Sequence, residues 1–192
     1  MINFLQLVKY LVTGRRAWTV AFYPEQNVKN GLQYYTRVVY PLADPIPAGQ
    51  SKYIVFKTSS KKVLVKVRIV HYSAEEIKLE LFDNPTFDDQ TGTPLTPDNY
   101  NGVNPVVSTV EVYKDSTVSV DGTPLDNSDS EYYFGSNSTG QRSGESIPEG
   151  RERVLPENTT YLVKLTNTGT GNARVQYFLD WYEGEPDLPR KE

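Results

Sequence analysis

Cysteine is absent from this chain, and histidine and methionine each occur only once in its 192 residues. Without a thiol there is no disulfide, no thiolate metal site, no cysteine nucleophile and no redox switch. The folded state must rest on burial or on association between subunits. Any Ser-His-Asp arrangement would have to use His71, and no Gly-x-Ser-x-Gly turn accompanies it. A zinc site would need mainly carboxylates. Blocks of one charge sign are missing as well. The 24 acidic and 20 basic residues are interspersed and leave a net charge of −4. That balance argues against a phosphate-tracking surface, and so against nucleic acid as a partner.

Long apolar runs are also lacking. The stretch from Ile2 to Val12 is broken by Asn3, Gln6 and Lys9 and has no basic region before it. It is shorter than the roughly 20 apolar residues that a membrane-spanning helix needs. It reads neither as a signal peptide nor as a span, so the expectation is a protein made in the cytoplasm with no membrane partner. The sequons Asn137-Ser138-Thr139 and Asn158-Thr159-Thr160 then have no secretory route to use them.

What is present is aromatic and periodic. Aromatics make up 12% of the chain, 14 of them Tyr, which is too rich for a disordered protein, while 38% apolar residues leave room for much exposed loop. Phe4, Leu7, Val8 and Leu11 recur at spacings of three and four and predict a short helix ended by Gly14. Such a terminal segment either docks on its own domain or inserts as an arm into a neighbouring subunit. From Ala17 the period becomes two, through Trp18, Val20 and Phe22, then Leu32 to Leu42. Pro41, Pro45 and Pro47 form an extended link before Tyr53-Ile54-Val55-Phe56.

The clearest strand runs from Lys61 to Tyr72, with Val63, Val65, Val67 and Ile69 on one face and Leu64, Lys66, Arg68 and Val70 on the other. Ile77, Leu79 and Leu81 repeat that pattern and predict an antiparallel neighbour across a Ser73–Glu76 turn. Tyr161–Thr166 and Val175–Tyr182 flank a Gly-rich turn and predict a closing hairpin. The expected organisation is an N-terminal arm over 1–16, one domain over 17–184 and a tail over 185–192. The expected fold is all-β, an antiparallel β-sandwich of jelly-roll-like form with a short N-terminal helical arm and long loops.

The central third contains an internal repeat. Glu80-Leu81-Phe82-Asp83-Asn84-Pro85-Thr86 aligns with Glu111-Val112-Tyr113-Lys114-Asp115-Ser116-Thr117, and Gly92-Thr93-Pro94-Leu95 recurs as Gly122-Thr123-Pro124-Leu125. A single repetition cannot build a solenoid, which needs at least three stacked units. It reads as two similar strands of one domain, each feeding a similar loop at the same end. The connections 83–105 and 126–150 are long and polar, and connections of that length tend to be functional surfaces.

Chemistry is harder to find. Asp83, Asp88, Asp89 and Asp98 share one region without the Asp-x-Asp-x-Asp-Gly spacing of a calcium loop. Glu75, Glu76 and Glu80 could be drawn into a glycosidase pair, but every charged protein offers such pairs. Gly135 to Gly150 resembles a phosphate loop only in composition, since no Gly-Lys-Ser/Thr follows. No catalytic, cofactor-binding or metal-binding residue is assigned, no cofactor is expected, and the reading is non-enzymatic. The aromatic run Tyr132-Tyr133-Phe134 could stack on sugar rings or anchor a subunit contact. The interface candidates are Phe4, Leu7, Val8, Leu11, Tyr100, Tyr132, Tyr133 and Phe134.

Three pieces of the chain resemble a family of small virion structural proteins of tailed bacteriophages. The first is Leu81-Phe82-Asp83-Asn84-Pro85-Thr86 with Gly92-Thr93-Pro94-Leu95-Thr96-Pro97, and the second its echo ending at Asp121-Gly122-Thr123-Pro124-Leu125. The third is Arg153 to Leu162, continuing through Leu165-Thr166-Asn167 to Trp181-Tyr182-Glu183-Gly184. The resemblance covers roughly Lys61 to Gly184. Where the family often carries Asn-Arg-Asn, this chain reads Asn99-Tyr100-Asn101-Gly102, without the basic residue. The resemblance implies a virion component of capsid decoration or cement type that bridges neighbouring subunits. Its partners would be capsid or other virion proteins and further copies of itself. An alternative is a head-fibre, neck or tail-associated protein that meets host glycans through loop tyrosines.

Overall fold

The computed structural model of the protein describes residue 28 and residues 30–73, 75–125, 131–134, 141–142 and 153–184. The expected helix carrying Phe4, Leu7, Val8 and Leu11, the strand through Trp18 and Phe22, and the tail lie outside the described residues. Within them the named elements are all strands. In chain order these are β1 (Gln33–Tyr40), β2 (Ser51–Lys57), β3 (Val63–Ser73), β4 (Ile77–Asp83) and β5 (Thr86–Asp88). There follow β6 (Thr93–Leu95), β7 (Asp98–Asn99), β8 (Glu111–Lys114), β9 (Thr117–Val120) and β10 (Thr123–Pro124). The last are β11 (Glu131–Phe134), β12 (Gln141–Arg142), β13 (Arg153–Leu155), β14 (Thr160–Asn167) and β15 (Val175–Glu183).

Two antiparallel sheets dominate. One runs β12-β3-β15-β1-β7 with β13 also on β3; the other runs β10-β4-β14-β2-β8-β6 with β11 also on β4. Alternation sets their inner faces. Tyr34, Thr36, Val38 and Tyr40 of β1 lie opposite Trp181, Leu179, Tyr177 and Val175 of β15, and all eight are buried. Ile54 and Phe56 of β2, Tyr161, Val163 and Leu165 of β14, and Ile77, Leu79 and Leu81 of β4 join the same hydrophobic cluster from the second sheet. The Trp181 ring links the two sheets. It meets Phe56 edge-on at 5.3 Å and stacks on Tyr34 at 6.1 Å.

Both expected hairpins are corrected. β3 and β4 stand in different sheets, and so do β14 and β15. The two connections cross between the sheets side by side. Glu75 Oε2 accepts from the Thr170 amide at 2.9 Å, and Glu76 O accepts from the Thr168 amide at 3.0 Å. The buried Asn167 amide donates to Ile46 O at 2.8 Å and Gly171 O at 2.7 Å, and Ala173 bridges Ile46. These bonds draw the chain out of the plane of β14 and towards the link that precedes β2.

A second correction concerns β3. Its register on β15 skips Lys66, because Trp181 faces Val65 while Asp180 faces Val67. One extra residue in a strand reverses which side chains face the core beyond it. The cluster accordingly takes Val63 and Val65 before the bulge and Val70 after it. Val63, Val65 and Val70 therefore meet the same core, although strict alternation would put Val70 on the opposite face.

The repeat closes on itself about a pseudo-twofold axis. Leu81, Phe82 and Asp83 correspond in the repeat to Val112, Tyr113 and Lys114. Thr93 and Pro94 of the first unit pair with Lys114 and Tyr113 of the second; Thr123 and Pro124 of the second pair with Asp83 and Phe82 of the first. The Asn84 amide donates to Thr160 O at 2.9 Å, and the equivalent Asp115 amide to Tyr53 O at 2.8 Å. Asn84 and Asp115 both adopt positive φ, 51° and 61°, which short polar side chains tolerate best. The axis passes between Val55 and Leu162, which face each other at the centre of the sheet and are both fully buried. β5 and β9 pair with each other. The connection 83–105, read from sequence as loop, thus holds three short strands, and each unit completes the sheet beside the other. Pro94 and Pro124 place a residue without an N–H in both short outer strands, which discourages pairing with a further strand.

Candidate interaction surface

Beyond β7 the chain forms a loop from Tyr100 to Val107, and it is held firmly at its base. Asn99 donates through Nδ2 to Gly31 O and Val106 O, both at 2.8 Å, and accepts through Oδ1 from the Asn101 amide at 2.7 Å. Asn101 Oδ1 accepts from the amides of Val103 and Asn104 at 3.1 and 2.9 Å. Asparagine suits this role because its short side chain can satisfy backbone groups two residues on. Downstream, Glu183 fastens the loop to β15. This carboxylate is 1% exposed and accepts from Ser108 Oγ, from the amide and hydroxyl of Thr109, and from Trp181 Nε1 at 3.4 Å. The result is an ordered loop whose Val103 and Val107 side chains are each 86% exposed.

An aromatic shelf adjoins the base of the loop on the outer face of β1 and β15. Tyr35 packs against Tyr100 at 4.7 Å and Phe178 at 5.8 Å, and the Arg37 guanidinium lies 5.5 Å from the Tyr35 ring centre. Behind it sits buried Asp180, which accepts from Gln33 Nε2 at 3.0 and 3.2 Å and from Tyr100 OH at 3.4 Å. Burial pushes the Asp180 pKa up, and the bonds from Gln33 and Tyr100 with the charge of Lys66 only partly oppose it. Burial, with Asp180 beside it, also raises the Tyr100 phenol.

A carboxyl whose folded pKa is raised binds its proton more tightly in the folded state. Its contribution favours folding below the unfolded pKa and is lost as pH rises through the folded one. Asp180→Asn is therefore expected to stabilise the protein at pH 7 and to lose that advantage below about pH 4, the ordinary Asp range. Urea melts at the two pH values check this, and an Asn variant less stable at neutral pH than at acid pH, relative to the parent, contradicts it.

A polar cleft of about 400 Å³ opens on another side, lined by Asp44, Gln50, Lys52, Tyr53, Asp115 and Ser116 among others. Its charges neutralise one another. Lys52 lies 3.4 Å from Asp44 and 3.3 Å from Asp115, and Lys114 lies 3.3 Å from Asp44 and 3.8 Å from Asp115. Both ammonium groups stand over the Tyr40 ring, at 5.4 and 4.4 Å. Burial, with Asp115 nearby, raises the Tyr40 phenol far above its usual range. This cluster ties β1, β2 and β8 together.

The structure separates the interface candidates. Tyr100 lies at the base of the ordered loop, 40% exposed and packed on Tyr35. Tyr132, Tyr133 and Phe134 belong to strand β11, in register with Leu79, Lys78 and Ile77, rather than to a loop tip. Phe4, Leu7, Val8 and Leu11 lie outside the described residues. His71 falls within β3, opposite Gln176. Val107 and the Glu183 clamp escape sequence reasoning, although one signal was legible: no charged residue occurs from Asn99 to Val110. Among the described residues, no group of three or more His, Asp or Glu side chains is placed to hold a metal ion. None of their helices is long and apolar enough to cross a membrane. No protein-family model, curated protein or solved structure matches the chain.

Proposed function

We propose that the chain is a non-enzymatic virion structural protein of a tailed bacteriophage, of capsid decoration or cement type. In this reading it is a jelly-roll β-sandwich whose N-terminal arm and loops bridge neighbouring subunits. The observation that carries it is the Tyr100–Val107 loop, ordered by its own asparagines and presenting apolar side chains outward. Such a loop loses little conformational entropy when a partner covers it, which suits many modest contacts repeated over a shell. The strand orders add support. Among the described residues, the first, last and third strands adjoin in one sheet, and the second, penultimate and fourth in the other. A long hairpin rolled into two Greek keys gives that order, which recurs in viral capsid and lectin domains.

The localisation proposed is the particle, after synthesis in the host cytoplasm. Quantitative mass spectrometry of purified virions is expected to find hundreds of copies per particle, a number set by shell geometry. Absence from purified particles would sink the reading, and about a dozen or fewer copies would move the protein to the neck or tail. A second reading, binding of host-surface glycans, is favoured by the shelf of Tyr35, Tyr100 and Phe178, since flat aromatic faces suit sugar rings.

A further inference from the structure

We infer that the polar cleft between the β1–β2 link and the turn after β8 is a binding site for a neutral saccharide, with Asp44, Lys52 and Asp115 as its hydrogen-bonding groups. Its volume of about 400 Å³ lies within the size range of small-molecule sites. The walls are fixed before any ligand arrives. Pro45 and Pro47 restrict the link, and the amides of Ile46 and Gly49 anchor it to Ala173 O at 2.8 Å and Asn167 O at 2.9 Å. On the opposite side the Asp115 amide is bonded to Tyr53 O at 2.8 Å. The charged groups stay within reach of solvent: the side chains of Asp44, Asp115 and Lys52 are 51%, 32% and 25% exposed.

Charge selects the ligand. Lys52 and Lys114 balance Asp44 and Asp115, and each ammonium stands 3.3 to 3.8 Å from both carboxylates. An ionic ligand drawn to one sign meets the other beside it, and attraction and repulsion nearly cancel. Hydroxyls escape that conflict, because each one both donates and accepts. Neighbouring hydroxyls on a sugar ring can accept from an ammonium and donate to the carboxylate next to it. The ions have capacity to spare. Their pairs are longer than Lys57–Glu111 at 2.8 Å or Lys164–Asp121 at 2.6 Å, so protons and lone pairs are left for a ligand.

The internal repeat shows that the fold does not require this cluster. Tyr53 O and Thr160 O are equivalent, since each accepts the amide of a repeat residue, Asp115 or Asn84. The pseudo-twofold axis therefore carries Lys52 onto Thr159, Lys114 onto Asp83 and Asp115 onto Asn84. The same backbone closes there with no lysine at either position and an amide in place of the Asp115 carboxylate. Backbone closure thus does not explain the four charges, and they gather around a cleft.

Methyl glycosides of glucose, galactose and mannose, each added up to about 50 mM, are expected to test this by amide NMR of the isotope-labelled full chain. At least one should shift the amides of Lys52, Tyr53 and Asp115, with a Kd of roughly 1–10 mM. Asp44→Ala should weaken that binding about tenfold, as loss of a charged hydrogen-bond partner does, while circular dichroism stays unchanged. Asp115→Asn is a second variant, because Asn84 already adopts the same left-handed backbone. It should weaken glycoside binding and, by leaving the lysines in excess, let inorganic phosphate shift the same amides. A parent protein whose cleft amides respond to none of the three glycosides overturns the inference, and so do folded variants that bind as tightly as the parent. Phosphate binding by the parent tighter than any glycoside overturns it too and makes the cleft an anion site. Shifts confined to Tyr35, Tyr100 and Phe178 overturn it in favour of the aromatic shelf. Sugar binding here does not depend on a place in the particle: a virion protein that ignores the glycosides defeats this inference alone, and a sugar-binding protein absent from virions defeats only the virion reading.

Discussion

Replacing Glu183 by alanine is expected to cost about 4 kcal/mol of folding stability, because it strands one buried and three half-buried donors at once. The carboxylate receives the Ser108 hydroxyl, the Thr109 amide and hydroxyl and the Trp181 indole N–H, in a place where water does not reach it. A fully buried donor left without a partner costs about 1–3 kcal/mol and a half-buried one falls towards the low end, and alanine supplies no acceptor to any of them. For a chain of this size the melting temperature should fall by roughly 10 °C. Ser108→Ala, which removes one donor to Glu183 and also the hydroxyl that accepts from the Val110 amide at 3.1 Å, should cost less, about 2 kcal/mol. Amide exchange at Thr109 should accelerate in Glu183→Ala before global unfolding, since the clamp is local. A melting temperature within a few degrees of the parent would show that the carboxylate does not hold the loop.

Gly122→Ala should destabilise nearly as much, by about 3–4 kcal/mol, through a backbone clash that no side-chain movement can relieve. Gly122 has a φ of 98°, and a Cβ there would lie 2.2 Å from Asp83 O. Its repeat equivalent, Gly92, has a φ of 88°, and its Cβ would meet Ser116 Oγ at 2.7 Å and Lys114 O at 3.0 Å. A hydroxyl can turn away more easily than a carbonyl in a strand, so Gly92→Ala should cost less, about 2 kcal/mol. Thermal melts of the two variants test both the pairing and the pseudo-twofold relation. Equal small losses would mean that the two units do not cross-pair as described.

Much of this architecture was legible beforehand, and particular residues show why. The alternation in Tyr161–Thr166 and Val175–Tyr182 located β14 and β15, because a half-buried strand needs a period of two whatever its partner. The repeat was visible as well, down to the glycines and the Asn84 and Asp115 positions that share a left-handed backbone. Two hairpins were misread because sequence neighbours joined by a few residues look alike whether they pair within a sheet or cross to the opposite one. The bulge at Lys66 left no mark in an unbroken run of alternating residues. Glu183 gave no signal either, since a glutamate at a strand end is ordinarily a solvated residue.

By itself the sequence determined that the described chain is made of strands, which residues of most strands are apolar on one face, where the repeat lies, and that a stretch near its centre carries no charge. Those features follow from local chemistry: side-chain alternation, proline and glycine geometry, and composition. The tertiary structure alone decided which strands pair, because a strand with one apolar face is satisfied by any sheet that buries it. The choice fell to hydrogen bonds between residues far apart in the chain, such as Gln33 opposite Tyr182. Cross-pairing turned the repeat into the two margins of one sheet, and a buried carboxylate on the last strand turned an uncharged stretch into an ordered surface.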